Sequence, residues 1–158
     1  MNTTRVEELA LQRKRFAHLS DEEFRFMLQQ VDGRQRTRDK LPTFAAIDDW
    51  WYPVRLSCEQ CSSEATACYK TQIIQSFYSQ PSTFDTFIDL TGGYGIDTFF
   101  MAQHAEQAHY VERNAELCAI AEHNFSLCRP KIQVHNTTAE EFLTTLPISN
   151  SQYPIAHT

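Results

Sequence analysis

Asp89-Leu-Thr-Gly-Gly-Tyr-Gly95 gathers an acid, a threonine and three of the chain's four glycines into one short stretch. Where a strand ends in such a turn and runs into a helix, the backbone can approach a ligand closely and aim its N–H groups at it. Gly92, Gly93 and Gly95 therefore mark a place where a Cβ would block the conformation or the approach. Glu112 follows 17 residues beyond Gly95. A carboxylate ending a second strand at that remove can accept hydrogen bonds from both hydroxyls of a ribose. Arg113 beside it either stacks on an adenine edge or faces solvent, with stacking slightly favoured. A dinucleotide turn reads G-x-G-x-x-G. Started at Gly93 that pattern meets Thr98, and started at Gly92 it meets Tyr94, so the nicotinamide alternative fails on spacing. Asp89, Thr91, Gly93 and Gly95 instead form an acid followed by small residues at alternate positions. Such an acid suits a ligand bearing an ammonium group, which a dinucleotide lacks.

The elements needed to position these residues are legible around them. Phe84 to Leu90 is a short apolar run suited to a buried parallel strand. A helix is expected over 95–104, a second strand over 108–111 and a helix over 114–127, with Asn114 as N-cap and Pro130 beyond its end. Leu117, Ile120, Ala121 and Leu127 form its expected inner face. A third strand over 132–134 and a third helix over 138–145 complete β-α-β-α-β-α, which requires a parallel, helix-covered sheet. Upstream, residues 1–48 read as helical. Ser20-Asp-Glu-Glu23 is a capping box, and Phe24, Met27, Leu28 and Val31 behind it share one helix face. Asp32-Gly33 is expected to end that helix. Arg34, Arg36, Arg38 and Lys40 then read as a solvated basic run, with RNA contact the less favoured role. Residues 49–68 look irregular and then helical. Ala67, Ile73, Ile74 and Phe77 support a helix from Ser63 to Phe77, before a turn at Pro81. The expected fold is α/β: a partial Rossmann-like sheet of three to four parallel strands over 81–158, preceded by a helical lobe over 1–80.

Composition narrows the function classes. The 158 residues are 42% hydrophobic with 11 Phe, enough to bury a core. A net charge of −6 supplies no global attraction for nucleic acid, leaving only a local basic stripe to do so. Five cysteines, an odd number, fit a reducing cytosol better than a disulfide framework. No signal-peptide core and no run near the roughly 18 apolar residues of a membrane span is present. A cytoplasmic protein without a membrane partner is expected.

With Lys40-Leu-Pro42, Glu59-Gln-Cys-Ser-Ser-Glu-Ala-Thr66, Tyr69-Lys70, the glycine turn through Asp97, Tyr110-Val-Glu112 and His123-Asn124, the chain resembles class I S-adenosylmethionine-dependent methyltransferases. More narrowly, it resembles the bacterial members that carry a THUMP-like domain after the catalytic domain. The resemblance implies S-adenosylmethionine as cofactor, held by Asp89, Thr91, Gly92, Gly93, Gly95, Glu112 and Arg113. It implies a supporting role for Gln60 to Lys70, and the A-x-x-H-N pattern around His123 tilts the methyl acceptor toward RNA or another nucleic acid in a full-length form. Relatives often place an adenine-binding acid after the third strand. Here Thr138 takes that place, with Glu140 as a possible substitute. Gln152-Tyr-Pro-Ile-Ala156 resembles the start of the family's fourth strand, but the catalytic Asp-Pro motif that ends that strand has no counterpart in the His157-Thr158 that follows. A truncated enzyme, inactive alone, is therefore expected; the alternative is a non-catalytic fragment or interaction remnant. Self-association through the exposed edge of the first strand is the associated expectation.

Other constellations read as structural. Cys58-Glu-Gln-Cys61 with Cys68 lacks a fourth zinc ligand, since no His lies between His18 and His104, and no metal is expected. Cys118 and Cys128 read as small apolar packing residues. His104, His109, His123 and His135 fall in different elements and read as unrelated. Trp50-Trp51-Tyr52 either stacks on a base or packs the lobe against the sheet, and packing is favoured.

Overall fold

A computed structural model describes residues 4–77, 84–129 and 131–146. The expected fourth strand around 152–156 and the prolines at 81 and 130 lie outside them. The α/β reading holds. Strands β1 (Phe84–Asp89), β2 (Ala105–Glu112) and β3 (Ile132–Asn136) form one parallel sheet in the order β1-β2-β3. Asp89 pairs with Tyr110, and Tyr110 with Val134. β2 starts three residues earlier than its apolar run, at the exposed Glu106 and Gln107 and their neighbour Ala105. Ladder pairing to β1 extends the strand there, and side-chain periodicity does not report it.

Helices α6 (Ile96–Ala102) and α7 (Ala115–Ser126) cross between the strands. Asn114 caps α7 with its side chain, accepting from the backbone of Glu116 and Leu117. The buried face of α7 is Cys118, Ile120, Ala121, Asn124 and Phe125. Leu127 falls just past the last turn and is 42% exposed, against expectation. Tyr110, Cys118, Ala121 and Phe125 form a cluster on one sheet face, joined by Ile132 and Val134. The opposite face holds His109 and His135, whose ring nitrogens lie 3.0 Å apart, against Phe142 of α8 (Ala139–Thr145). These two histidines are thus a pair, contrary to expectation. Neighbouring strands bring them together although 26 positions separate them.

The lobe comprises α1 (Thr4–Leu11), a 3-10 turn (Arg13–Phe16), α2 (Asp21–Thr37), α3 (Pro42–Ala45), α4 (Arg55–Gln60) and α5 (Glu64–Ser76). The capping box is present: Ser20 Oγ accepts from Glu23 N, and Glu23 Oε2 accepts from Ser20 N at 2.7 Å. α2 does not end at Asp32-Gly33 but runs on to Thr37. Gly33 is needed inside the helix because a Cβ there would lie 2.3 Å from Tyr52 Cβ. Close approach outweighs the local stop signal.

The basic run is also more than a solvated face. Arg34 donates to Ala45 O, Arg36 to the Asp32 carboxylate and Lys40 to Cys58 O and Glu59 O, while Arg38 is exposed. On α5 the small residues Ala67 and Thr71 face inward, and Ile73 and Phe77 point outward. Thr71 sits beside Met101 of α6, so short side chains let the two helices approach.

One apolar cluster joins lobe and sheet across residue 80: Leu41, Phe44, Trp50, Tyr52, Cys58 and Ala67 pack with Tyr94, Ile96 and Ile120. The aromatic triplet packs, as favoured. Trp50 Nε1 donates to Tyr94 Oη at 2.7 Å, and Tyr94 Oη donates to Trp51 O. The Trp51 backbone exchanges two hydrogen bonds with the Asn124 amide, and its ring stacks on His123 at 3.8 Å. His123 and Asn124 thereby hold the lobe against α7.

Candidate functional site

A cleft of about 720 Å³ opens at the carboxyl ends of β1 and β2, where open parallel sheets receive ligands. Asp89, Thr91, Gly92, Gly93, Gly95 and Glu112 all line it. Arg113 is exposed and is not among the lining residues. From the lobe come Gln60, Cys61, Ser62 and Lys70, in the segment expected to play a supporting part, and Ser57, which lies outside it.

Asp89 ends β1 with both oxygens engaged. Oδ1 accepts from Thr91 N at 3.0 Å, and Oδ2 accepts from the Thr98 hydroxyl at 2.6 Å. Thr98 is fully buried, and occupies the position where a dinucleotide turn would carry glycine. Glu112 ends β2 and bridges two loops: Oε2 accepts from Gly93 N at 3.1 Å and Oε1 from Asn114 N at 2.8 Å. Each carboxylate oxygen retains accepting capacity beyond these bonds.

The glycines meet the sequence expectation of special conformation and close approach, but their N–H groups do not. The N–H groups of Thr91, Gly92, Gly93 and Gly95 do not wait for a ligand; they donate to Asp89, Val111 O, Glu112 and Gly92 O. The glycines are required by conformation and close packing. Gly93 and Gly95 have φ of +54° and +82°, values natural to glycine. A Cβ on Gly92 would lie 2.2 Å from Tyr110 Cε2, and one on Gly95 2.8 Å from Phe125 Cζ. Tyr110, fully buried under the turn, donates its hydroxyl proton to Gly93 O at 2.6 Å. Burial pushes its phenol pKa upward, so it serves as a neutral donor.

The front wall comes from the lobe. Lys70 Nζ lies 2.8 Å from Asp97 Oδ2 and 2.9 Å from Ser62 Oγ, and the Ser62 hydroxyl donates to the same Asp97 oxygen. Asp97 Oδ1 is buried with no partner among the described residues. Thr98, Tyr110, Asn114 and Asp97 were not identified as site residues by spacing, and Ser62 entered only as part of the supporting segment. The turn's continuation into Ile96-Asp97-Thr98 was the available signal for two of them.

The remaining constellations take other parts. The Cys58 thiol donates to Pro53 O and that of Cys61 to Cys58 O. Burial pushes the Cys58 pKa up to about 12, which opposes thiolate chemistry. Among the described residues, no group of three or more His, Cys, Asp or Glu side chains could hold a metal. No helix among them is long and apolar enough to cross a membrane. Thr138, expected near an adenine, caps α8 in a capping box with Glu141.

No protein-family model and no curated protein matches the chain. Among solved structures, a protein from Porphyromonas gingivalis W83 described as a "putative methyltransferase" matches at TM-score 0.67 and 28% identity over 91% of this chain. The chain spans 38% of that protein's length. The likeness supports a methyltransferase fold for the α/β sheet and its lobe.

Proposed function

We propose that the cleft binds S-adenosylmethionine and that the chain forms the donor-binding part of a methyltransferase. The observation that carries this is the convergence of Asp89 and Glu112, from the ends of adjacent parallel strands, on one cleft floored by the glycine turn. The lining fits the ligand's charge. Among the described residues its carboxylates are Asp89, Asp97 and Glu112 and its one cation is Lys70, a balance that favours a ligand with positive charge. Asp89 accepts from the ammonium group of the methionyl end, and Glu112 accepts from the ribose hydroxyls. Gly92 and Gly95 let the turn settle onto Tyr110 and Phe125 and so shape the floor, with Gly93 between them; Thr91 lines it, and Arg113, beside Glu112 but outside the lining, is the proposed neighbour of the adenine edge. Bound there, S-adenosylmethionine supplies an electrophilic methyl group on a sulfonium. Asp89 is already oriented by Thr91 and Thr98, so less ordering is left to ligand binding.

RNA, or another nucleic acid, is the proposed acceptor class of the full-length form; it rests on the family resemblance. Titration calorimetry with S-adenosylhomocysteine tests the cofactor assignment. Saturable binding by the chain is expected, with about tenfold or greater loss in Asp89→Asn. Absence of saturable binding by the unsubstituted protein would refute it.

A further inference from the structure

We propose that Lys70 is the carboxylate-binding cation of this cleft, so that sheet and lobe grip opposite charges of one amino-acid group. The inference rests on the S-adenosylmethionine assignment above. The methionyl end of that ligand is a zwitterion. Asp89 on the sheet side answers its ammonium group, and its carboxylate requires donors. The turn cannot supply them at Thr91, Gly92, Gly93 or Gly95, whose N–H groups are engaged within the protein. Among the described residues, Lys70 is the one cation lining the cleft.

Its geometry leaves it able to act. An ammonium group has three donors; two point to Asp97 Oδ2 and Ser62 Oγ, leaving one for a ligand. The side chain is 46% exposed, so a ligand entering from solvent can reach it. Asp97 is a positioning residue. It lies in the first turn of α6, immediately after the glycine turn, and ties the lobe's lysine to that turn. Selection of an amino-acid end is thereby assigned to α5, outside the sheet. A nucleoside lacking that carboxylate forgoes the contact.

Calorimetry on the 158-residue chain and its Lys70→Met and Lys70→Arg variants tests this, with two probes. One is S-adenosylhomocysteine; the other is its decarboxylated analogue, which keeps the ammonium group. Lys70→Met is expected to weaken S-adenosylhomocysteine about tenfold or more, as for a lost charge-assisted hydrogen bond. The same variant leaves the decarboxylated analogue unchanged, and Lys70→Arg restores most of the loss. Equal weakening of both probes would assign Lys70 to packing and overturn the proposal. Unaltered S-adenosylhomocysteine binding in Lys70→Met would overturn it while leaving the cofactor assignment standing. Failure of the unsubstituted chain to bind either probe would overturn both.

Discussion

Replacing Gly92 with alanine tests the role assigned to the glycine turn. The added Cβ would lie 2.2, 2.4 and 2.7 Å from three ring carbons of Tyr110. Carbon atoms pack at about 3.5–4.0 Å, so ring or turn must retreat by roughly 1.3 Å. The ring has little freedom to do so. It is fully buried, meets Phe125 edge-on at 5.6 Å and is held by its hydroxyl to Gly93 O. Overpacking of this kind costs about 1–3 kcal/mol, and loss of the hydroxyl contact adds about 1 kcal/mol. A destabilisation of about 2–4 kcal/mol is expected in urea denaturation, with weaker S-adenosylhomocysteine binding. A double-mutant cycle with Tyr110→Leu separates this clash from general damage. Shortening the ring makes room for the methyl group, so the two substitutions should couple by about 1 kcal/mol or more. Gly93→Ala is the contrast. Its Cβ meets only Thr91 O, at 3.7 Å, so its cost of about 1–2 kcal/mol is backbone strain and independent of Tyr110. Strict additivity of Gly92→Ala and Tyr110→Leu would refute the clash argument.

Two further outcomes rest on buried polar contacts. Thr98→Val removes the hydroxyl that orients Asp89, and should cost about 1–3 kcal/mol in urea denaturation while weakening S-adenosylhomocysteine binding; unchanged affinity would show that Asp89 needs no such support. Burial, and then the neighbouring His109, lower the His135 pKa below its ordinary 6.5. The unfolded chain therefore takes up the proton first. Stability is complete above pH 6.5 and declines as pH falls from there through the folded-state value. Urea denaturation from about pH 7.5 to about pH 5 checks this, with a flatter profile expected for His135→Gln.

The parts of the site that lie close together in the chain were legible. Asp89, the glycines and Glu112 announce themselves by type and spacing, and the alternation of strands and helices fixes the ends on which they sit. Supports from elsewhere in the fold were not legible. Tyr110 reads as an ordinary strand aromatic until the β1–β2 register sets it beneath Gly92. Lys70 was marked only as the end of a supporting segment, by resemblance; its tie to Asp97 becomes visible only once α5 packs on α6. The same limit explains the missed histidine pair, whose members meet across two strands. Gly33 misled for a related reason: a glycine that stops a helix and one that admits a neighbouring ring look alike in one dimension. The purpose of the glycine turn was half legible, since spacing revealed its glycines but not that its donors are already engaged.

The tyrosine beneath the turn also acts as a proofreader of strand pairing. Side chains alternate between sheet faces, so a slip of one residue between β1 and β2 would offer His109 or Val111 in place of Tyr110. Neither carries a phenol to reach Gly93 O, and the slip would also displace Glu112 from Gly93 N. Only the correct alignment closes the turn from below and ties it from the side. The binding floor and the sheet register are therefore selected together: a misaligned sheet would forfeit the site in the same step that it forfeits its packing.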